Sequence, residues 1–186
     1  MKQPNRFGFT LIELLIVIGV LGILATGLLA AVDPFEQLKK GRDTNRRNTV
    51  VEFHNASIRY YASHGDMPWY DTGGCFGTGF TGDMSKNGEE TVTTLDSGGC
   101  VDDLITDGEL KEDYVSALGS DATKIYITSP TRTDLRVCFS PESKSVYYDD
   151  ATKYDQNGDI DGVNCDRVTK EASGPGAGTL CYWCAK

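Results

Sequence analysis

Hydrophobic and polar positions follow two different rhythms along this chain. From Phe9 to Val32, 18 of 24 residues are apolar and the single charge is Glu13. As a helix this stretch would reach ~36 Å, enough to cross a hydrocarbon core of ~30 Å. Beyond Pro34 the chain turns polar but keeps an apolar stripe. Val50, Phe53, Ser57 and Tyr60, with Val51, His54, Ile58 and Tyr61 beside them, recur at helical spacing, so one face can pack on a sheet. Gly65 is a suitable stop. The pattern predicts one long helix from about residue 9 to 63. Asp33-Pro34 is a soft joint in it, since proline lacks an N–H and crowds the preceding turn. Gly19, Gly22, Gly27 and Gly41 weaken it further.

After the helix the rhythm changes again. Residues 65–100 hold nine glycines and few periodic apolar positions, the signature of a long loop. Residues 101–118 read as a short helix or a pair of turns, with Leu104, Leu110, Tyr114 and Leu118 as apolar anchors. KIYITS and DLRVCFS alternate like strands, and SVYYDD reads as a third. A leading helix followed by antiparallel strands predicts an α+β fold. It divides into residues 1–8, an apolar span 9–32, an amphipathic continuation 33–64 and a head 65–186.

Charge sharpens this division. Residues 1–47 carry 7 Lys/Arg against 4 Asp/Glu, whereas residues 48–186 carry 11 against 23, a net of −12. A head so acidic repels phosphate, which argues against nucleic-acid binding by it. All six cysteines, Cys75, Cys100, Cys138, Cys165, Cys181 and Cys184, lie downstream of the apolar span. That even count on one side predicts an exported head with three disulfides. Gly-Gly-Cys occurs at both edges of the glycine-rich loop, which favours Cys75 with Cys100; the other pairings stay open. The apolar run is too long for a cleaved secretory signal, whose core is ~7–15 residues. A carboxylate near one end of a hydrocarbon span also requires a partner.

Gly8-Phe9-Thr10-Leu11-Ile12-Glu13-Leu14-Leu15, behind the polar leader MKQPNRF, resembles the prepilin signature of type IV pilins and of type II secretion pseudopilins. The resemblance implies that a membrane-embedded prepilin peptidase cuts after Gly8 and methylates the new amine of Phe9. It implies that Glu13, at the fifth mature position, neutralises the terminal amine of a neighbouring subunit during assembly. It further implies a leader in the cytoplasm, a single-pass precursor among membrane lipids, an assembly platform in the membrane, and a filament of identical subunits outside the cell. Many members carry a proline at the position of Ala30; here Pro34 stands four residues later. Any stretch that melts on assembly would then fall near residues 27–35. Retention of Glu13 favours the filament body over a tip subunit. Two alternatives are a type II secretion pseudopilin and a membrane-anchored adhesin or binding domain.

Other candidate chemistry is sparse. Asp155, Asn157, Asp159 and Asp161 alternate as hard oxygen donors and could form a calcium loop, a cofactor that some major pseudopilins bind near this end of the chain. In an EF-hand frame from Asp155, however, Ile160 replaces the glycine and Asp166 the final glutamate. Cys181-Tyr182-Trp183-Cys184 has thioredoxin-like spacing without the strand-to-helix context, and zinc would need a second close pair. The collar of Lys39, Lys40, Arg42, Arg46 and Arg47 reads as a solvated face, or as attraction to acidic heads or lipid headgroups. His54 and His64 read as structural, and the sequon Asn55-Ala56-Ser57 lies on a predicted helix. The SGPGAG segment at 173–178 lacks the Lys-Ser/Thr of a phosphate loop. No nucleophile–base pair stands out, so the expectation is a protein without enzymatic activity.

Overall fold

The computed structural model describes residues 8–31, 33–70, 75, 91–155, 157–173 and 181–186. The leader, most of the glycine-rich loop and most of SGPGAG lie outside these. Two compact units are present, residues 1–37 and 38–186.

The first unit is dominated by helix α1, Leu11–Ala31, which is long and apolar enough to cross a membrane. Its large side chains are exposed, from Val17 at 48% to Leu11 at 82%. A helix apolar on all sides and buried by none of its own chain needs an apolar environment from elsewhere. Helix α2, Pro34–His64, then starts afresh. Asp33 Oδ1 accepts the backbone N–H of Phe35 at 3.0 Å and of Glu36 at 3.3 Å. Pro34 takes the first helical position, where its missing N–H costs nothing. The expected single rod is therefore two helices, and Asp33-Pro34 begins the second rather than softening the first. Residues 27–31 are helical.

In the second unit α2 buries Val50, Phe53, Ala56, Ser57 and Tyr60. The neighbouring stripe is only half covered, with Val51 and Ile58 exposed. Gly65 ends the helix at φ +81°, a left-handed conformation that favours glycine.

Four strands form an antiparallel sheet: β1 Ile125–Thr131, β2 Asp134–Phe139, β3 Thr152–Tyr154 and β4 Tyr182–Ala185, in the order β1-β2-β4-β3. The period of two divides its side chains between two faces. Leu135, Val137 and Phe139 join Val50 and Phe53 of α2 in the main core. Cys138 packs on the other face with Tyr182, Cys184 and Tyr126. Burial of a side chain such as Phe53 contributes ~1.5–3 kcal/mol, and α2 shares this core with Val92, Leu95, Val101 and Leu104.

Short helices fill the connections: α3 Val92–Ser97, α4 Cys100–Thr106, α5 Tyr114–Leu118, α6 Lys144–Tyr147 and α7 Arg167–Ser173, with a 3-10 turn at Gly119–Lys124. Helix α3 lies inside the stretch expected to be loop, started by Thr91, whose hydroxyl accepts Thr94 N–H at 3.4 Å. The expected third strand, SVYYDD, is instead α6 and a turn. Ser143 caps it by accepting Val146 N–H at 3.4 Å, and Asp149 Oδ1 accepts Ala151 N–H at 2.8 Å. Two local polar caps override the strand preference of Val-Tyr-Tyr. The actual third strand follows at residues 152–154, and the fourth lies within the Cys181–Cys184 segment.

Candidate functional site: the N-terminal segment and the ties of the head

Gly8, Phe9 and Thr10 precede α1 in non-helical conformation and are exposed. A Cβ added at Gly8 would meet nothing within 4 Å among the described residues beyond its chain neighbours. Helix α1 is opened by a capping box. Glu13 N–H donates to Thr10 Oγ1 at 3.3 Å, and Thr10 N–H donates back to Glu13 Oε2 at 2.9 Å. The Thr10 hydroxyl adds a third bond to the same carboxylate oxygen at 2.7 Å. Glu13 thus has a partner in its own chain, which the sequence reading did not anticipate although Thr-x-x-Glu is the capping-box spacing. The segment offers an accessible bond between Gly8 and Phe9, a carboxylate four residues past that bond, and an uncovered apolar helix behind it.

The cysteines pair as Cys75–Cys100, Cys138–Cys184 and Cys165–Cys181, with Cα separations of 5.0, 4.1 and 5.6 Å. The second bridge joins residues directly opposite each other on β2 and β4. The third ties the segment before α7 to the residue before β4. Helix α7 is also pinned by buried Lys170, whose Nζ donates to the carbonyls of Asp149 and Thr152, each at 2.9 Å.

The basic collar divides by role. Arg46 is 2% exposed. Its Nη2 reaches Asp121 Oδ1 at 2.8 Å and Glu142 Oε1 at 2.7 Å. Arg42 meets the other Glu142 oxygen at 2.8 Å. Partial burial pushes the Glu142 carboxyl up, but Arg46 and Arg42 outweigh it and hold it down at about 2. Asp43, fully buried, accepts the backbone N–H groups of Glu142 at 3.0 Å and Ser143 at 2.7 Å, and the Ser143 hydroxyl at 2.7 Å. Arg47 lies over the Trp183 ring, 4.5 Å from its centroid. Arg46 and Arg47 therefore fasten α2 to the head, with Arg42 pairing from the surface; this corrects the solvated-face reading for Arg46 and Arg47, while Lys40 and Arg42 are exposed. The positions 43, 46, 50, 53, 57 and 60 continue one helical stripe, the signal that marked Asp43 and Arg46 for burial.

At the far end of α2, Arg59 bonds Glu109, and His64 Nε2 lies 3.3 Å from Asp107. His64 also stacks on Tyr60. Burial pushes the His54 imidazole down, opposed by a hydrogen bond to Asn55. Ser57 of the sequon is buried and donates to the Phe53 carbonyl at 3.0 Å. Both histidines therefore sit in structural settings.

The suggested calcium loop has a different construction. Asp155 Oδ1 accepts the N–H groups of Asn157 at 2.9 Å and Asp159 at 2.8 Å, closing its own turn. Asp161 Oδ1 turns forward to the N–H groups of Val163 at 3.0 Å and Asn164 at 2.9 Å. Asp159 Oδ1 meets Arg136 at 2.6 Å. Each of these three carboxylates thus has partners of its own. Among the described residues no three His, Cys, Asp or Glu side chains are grouped to hold a metal ion. Alternation along the chain did not include Arg136, the arginine that β2 brings to Asp159.

An uncovered apolar N-terminal helix ahead of a disulfide-bonded α+β head fits a membrane-anchored precursor. A family model described as the prokaryotic N-terminal methylation motif matches residues 3–29. This is the prepilin-type signature of type IV pilins and pseudopilins, and over those residues the chain is similar to them. No curated protein and no solved structure matches the chain.

Proposed function

We propose that this chain is the structural subunit of a type IV pilus-like extracellular filament, with no catalytic role of its own. The observation that carries the reading is the exposed Gly8–Phe9 bond directly ahead of a capped, wholly uncovered apolar helix. In the membrane precursor, lipid covers α1 and the leader faces the cytoplasm. Prepilin peptidase cuts after Gly8 and methylates the Phe9 amine. The assembly platform then draws the subunit into a stack in which helices of identical subunits replace lipid around α1. Apolar burial holds the stack together, and Glu13 exchanges its capping partners for the amine of a neighbouring Phe9, which sets axial register.

Intact mass and N-terminal sequencing of sheared surface filaments test this reading. The expected product begins at N-methylated Phe9. Filaments built from uncut chains, or a mature start elsewhere, would refute it.

A further inference from the structure

The second face of the sheet is roofed by the turn that follows β3. Tyr154 pairs back with Ile160, and Asp155 N–H donates to the Asp159 carbonyl at 2.8 Å. The apex is Gly158, at φ +74°. A Cβ there would lie 3.0 Å from both Arg136 Cδ and Thr128 Cγ2, so the turn rests directly on neighbouring residues of β1 and β2. Glycine is required by conformation and by space alike.

Arg136 stands beneath this roof, 9% exposed. Its Nη1 donates to Asp159 Oδ1 at 2.6 Å and to the Asn157 carbonyl at 3.4 Å. Its Nη2 donates to Asp134 Oδ2 at 2.7 Å, and Nε to Asp134 Oδ1 at 3.3 Å. Two carboxylates from different segments and one loop carbonyl thus surround a single positive group, a donor set of the kind that hard cations take from proteins. The guanidinium satisfies them with directed bonds and, unlike an ion, cannot dissociate.

We propose that Arg136 is the resident cation of the 155–161 loop, tethering it to the sheet in the role that a bound divalent metal would otherwise serve. The loop needs no calcium to hold its shape, and the exposed apolar side chains of Ile160 and Val163 keep their placement whatever the calcium concentration. This inference concerns the head alone and does not depend on the filament reading.

Hydrogen exchange on the full oxidised chain in detergent tests it. In the wild type, amide protection across residues 155–164 should be the same in EDTA and in millimolar calcium chloride, and the melting temperature should not move. Arg136→Met keeps much of the apolar stem but removes the charge, so it should speed exchange in this segment well beyond its effect on β1. Loss of wild-type protection in EDTA would overturn the proposal, as would wild-type protection of the loop in Arg136→Met. Should that variant not fold, the comparison of wild type with and without calcium decides by itself.

Discussion

Asp43 is the most informative residue to change in the head, because its burial is complete and it holds two backbone N–H groups and a hydroxyl of one distant turn. One oxygen faces the N–H of Glu142, while the other serves both donors of Ser143 and lies 3.1 Å from the same Glu142 nitrogen. Asp43→Asn preserves volume but leaves one acceptor in place of two. With the amide oxygen turned to Ser143, the NH2 group opposes the Glu142 N–H, donor against donor. One charge-assisted bond is lost, worth ~1.5–3 kcal/mol, and the bonds that remain weaken without the charge. Arg46, 3.7 Å away, also loses an anionic neighbour. A total of ~2–4 kcal/mol is expected, against ~3–5 for removing one partner of a buried charge network outright, as Asp43→Ala does.

For a domain of this size ~1 kcal/mol moves the midpoint by roughly 2–4 °C, so Asp43→Asn should melt ~4–16 °C below the wild type. Circular dichroism of the full oxidised chain in detergent reads this, with the near-ultraviolet signal reporting the head's aromatic packing. Asp43→Ala should melt no higher than Asp43→Asn. A shift below ~2 °C for the asparagine variant would mean that the cap on residues 142–143 contributes little, and the argument from buried acceptors would fail.

Two further outcomes follow from the same geometry. Glu142 titrates at about 2 when folded, below its ordinary 4.5. Its contribution is therefore present above that ordinary value and is lost as pH falls toward the folded one. Glu142→Gln should lower the melting temperature at neutral pH and flatten its decline between about pH 4.5 and 2; an unchanged decline would rule out Glu142 as a source of acid sensitivity. Glu13→Ala should be cut after Gly8 and inserted normally, yet form few filaments by negative-stain microscopy. Normal filament number and length from that variant would remove Glu13 from assembly.

The legible parts of this chain share one property: their partners lie close in sequence or are the solvent. The apolar span needed only composition. The α2 stripe needed only helical spacing, and extending it back from Val50 reaches Arg46 and Asp43. The Thr10–Glu13 and Asp33–Pro34 starts are local capping patterns, present in the sequence but outweighed there by the continuity of the apolar run and by the view of proline as a breaker. SVYYDD failed for the same kind of reason, since strand preference was weighed without Ser143 ahead of it. Strand β4 was hidden because a four-residue strand, Tyr182–Ala185, has too few alternations to stand out.

What sequence spacing could not supply is the identity of distant polar partners. Arg46 finds Asp121 and Glu142, Arg136 finds Asp159, and Lys170 finds the carbonyls of Asp149 and Thr152. All three cations are buried. A buried charge is retained only where other segments deliver acceptors to it, so each marks a join between pieces of chain that folding must bring together. Arg46 marks the attachment of α2, Arg136 the roof over the second sheet face, and Lys170 the seating of α7. Apolar periodicity names the elements of this head, and its buried cations name the places where those elements are tied. Residues 155–161 read as a metal loop because spacing along the chain shows near neighbours alone, whereas the cation that meets Asp159 comes from β2, about twenty residues upstream.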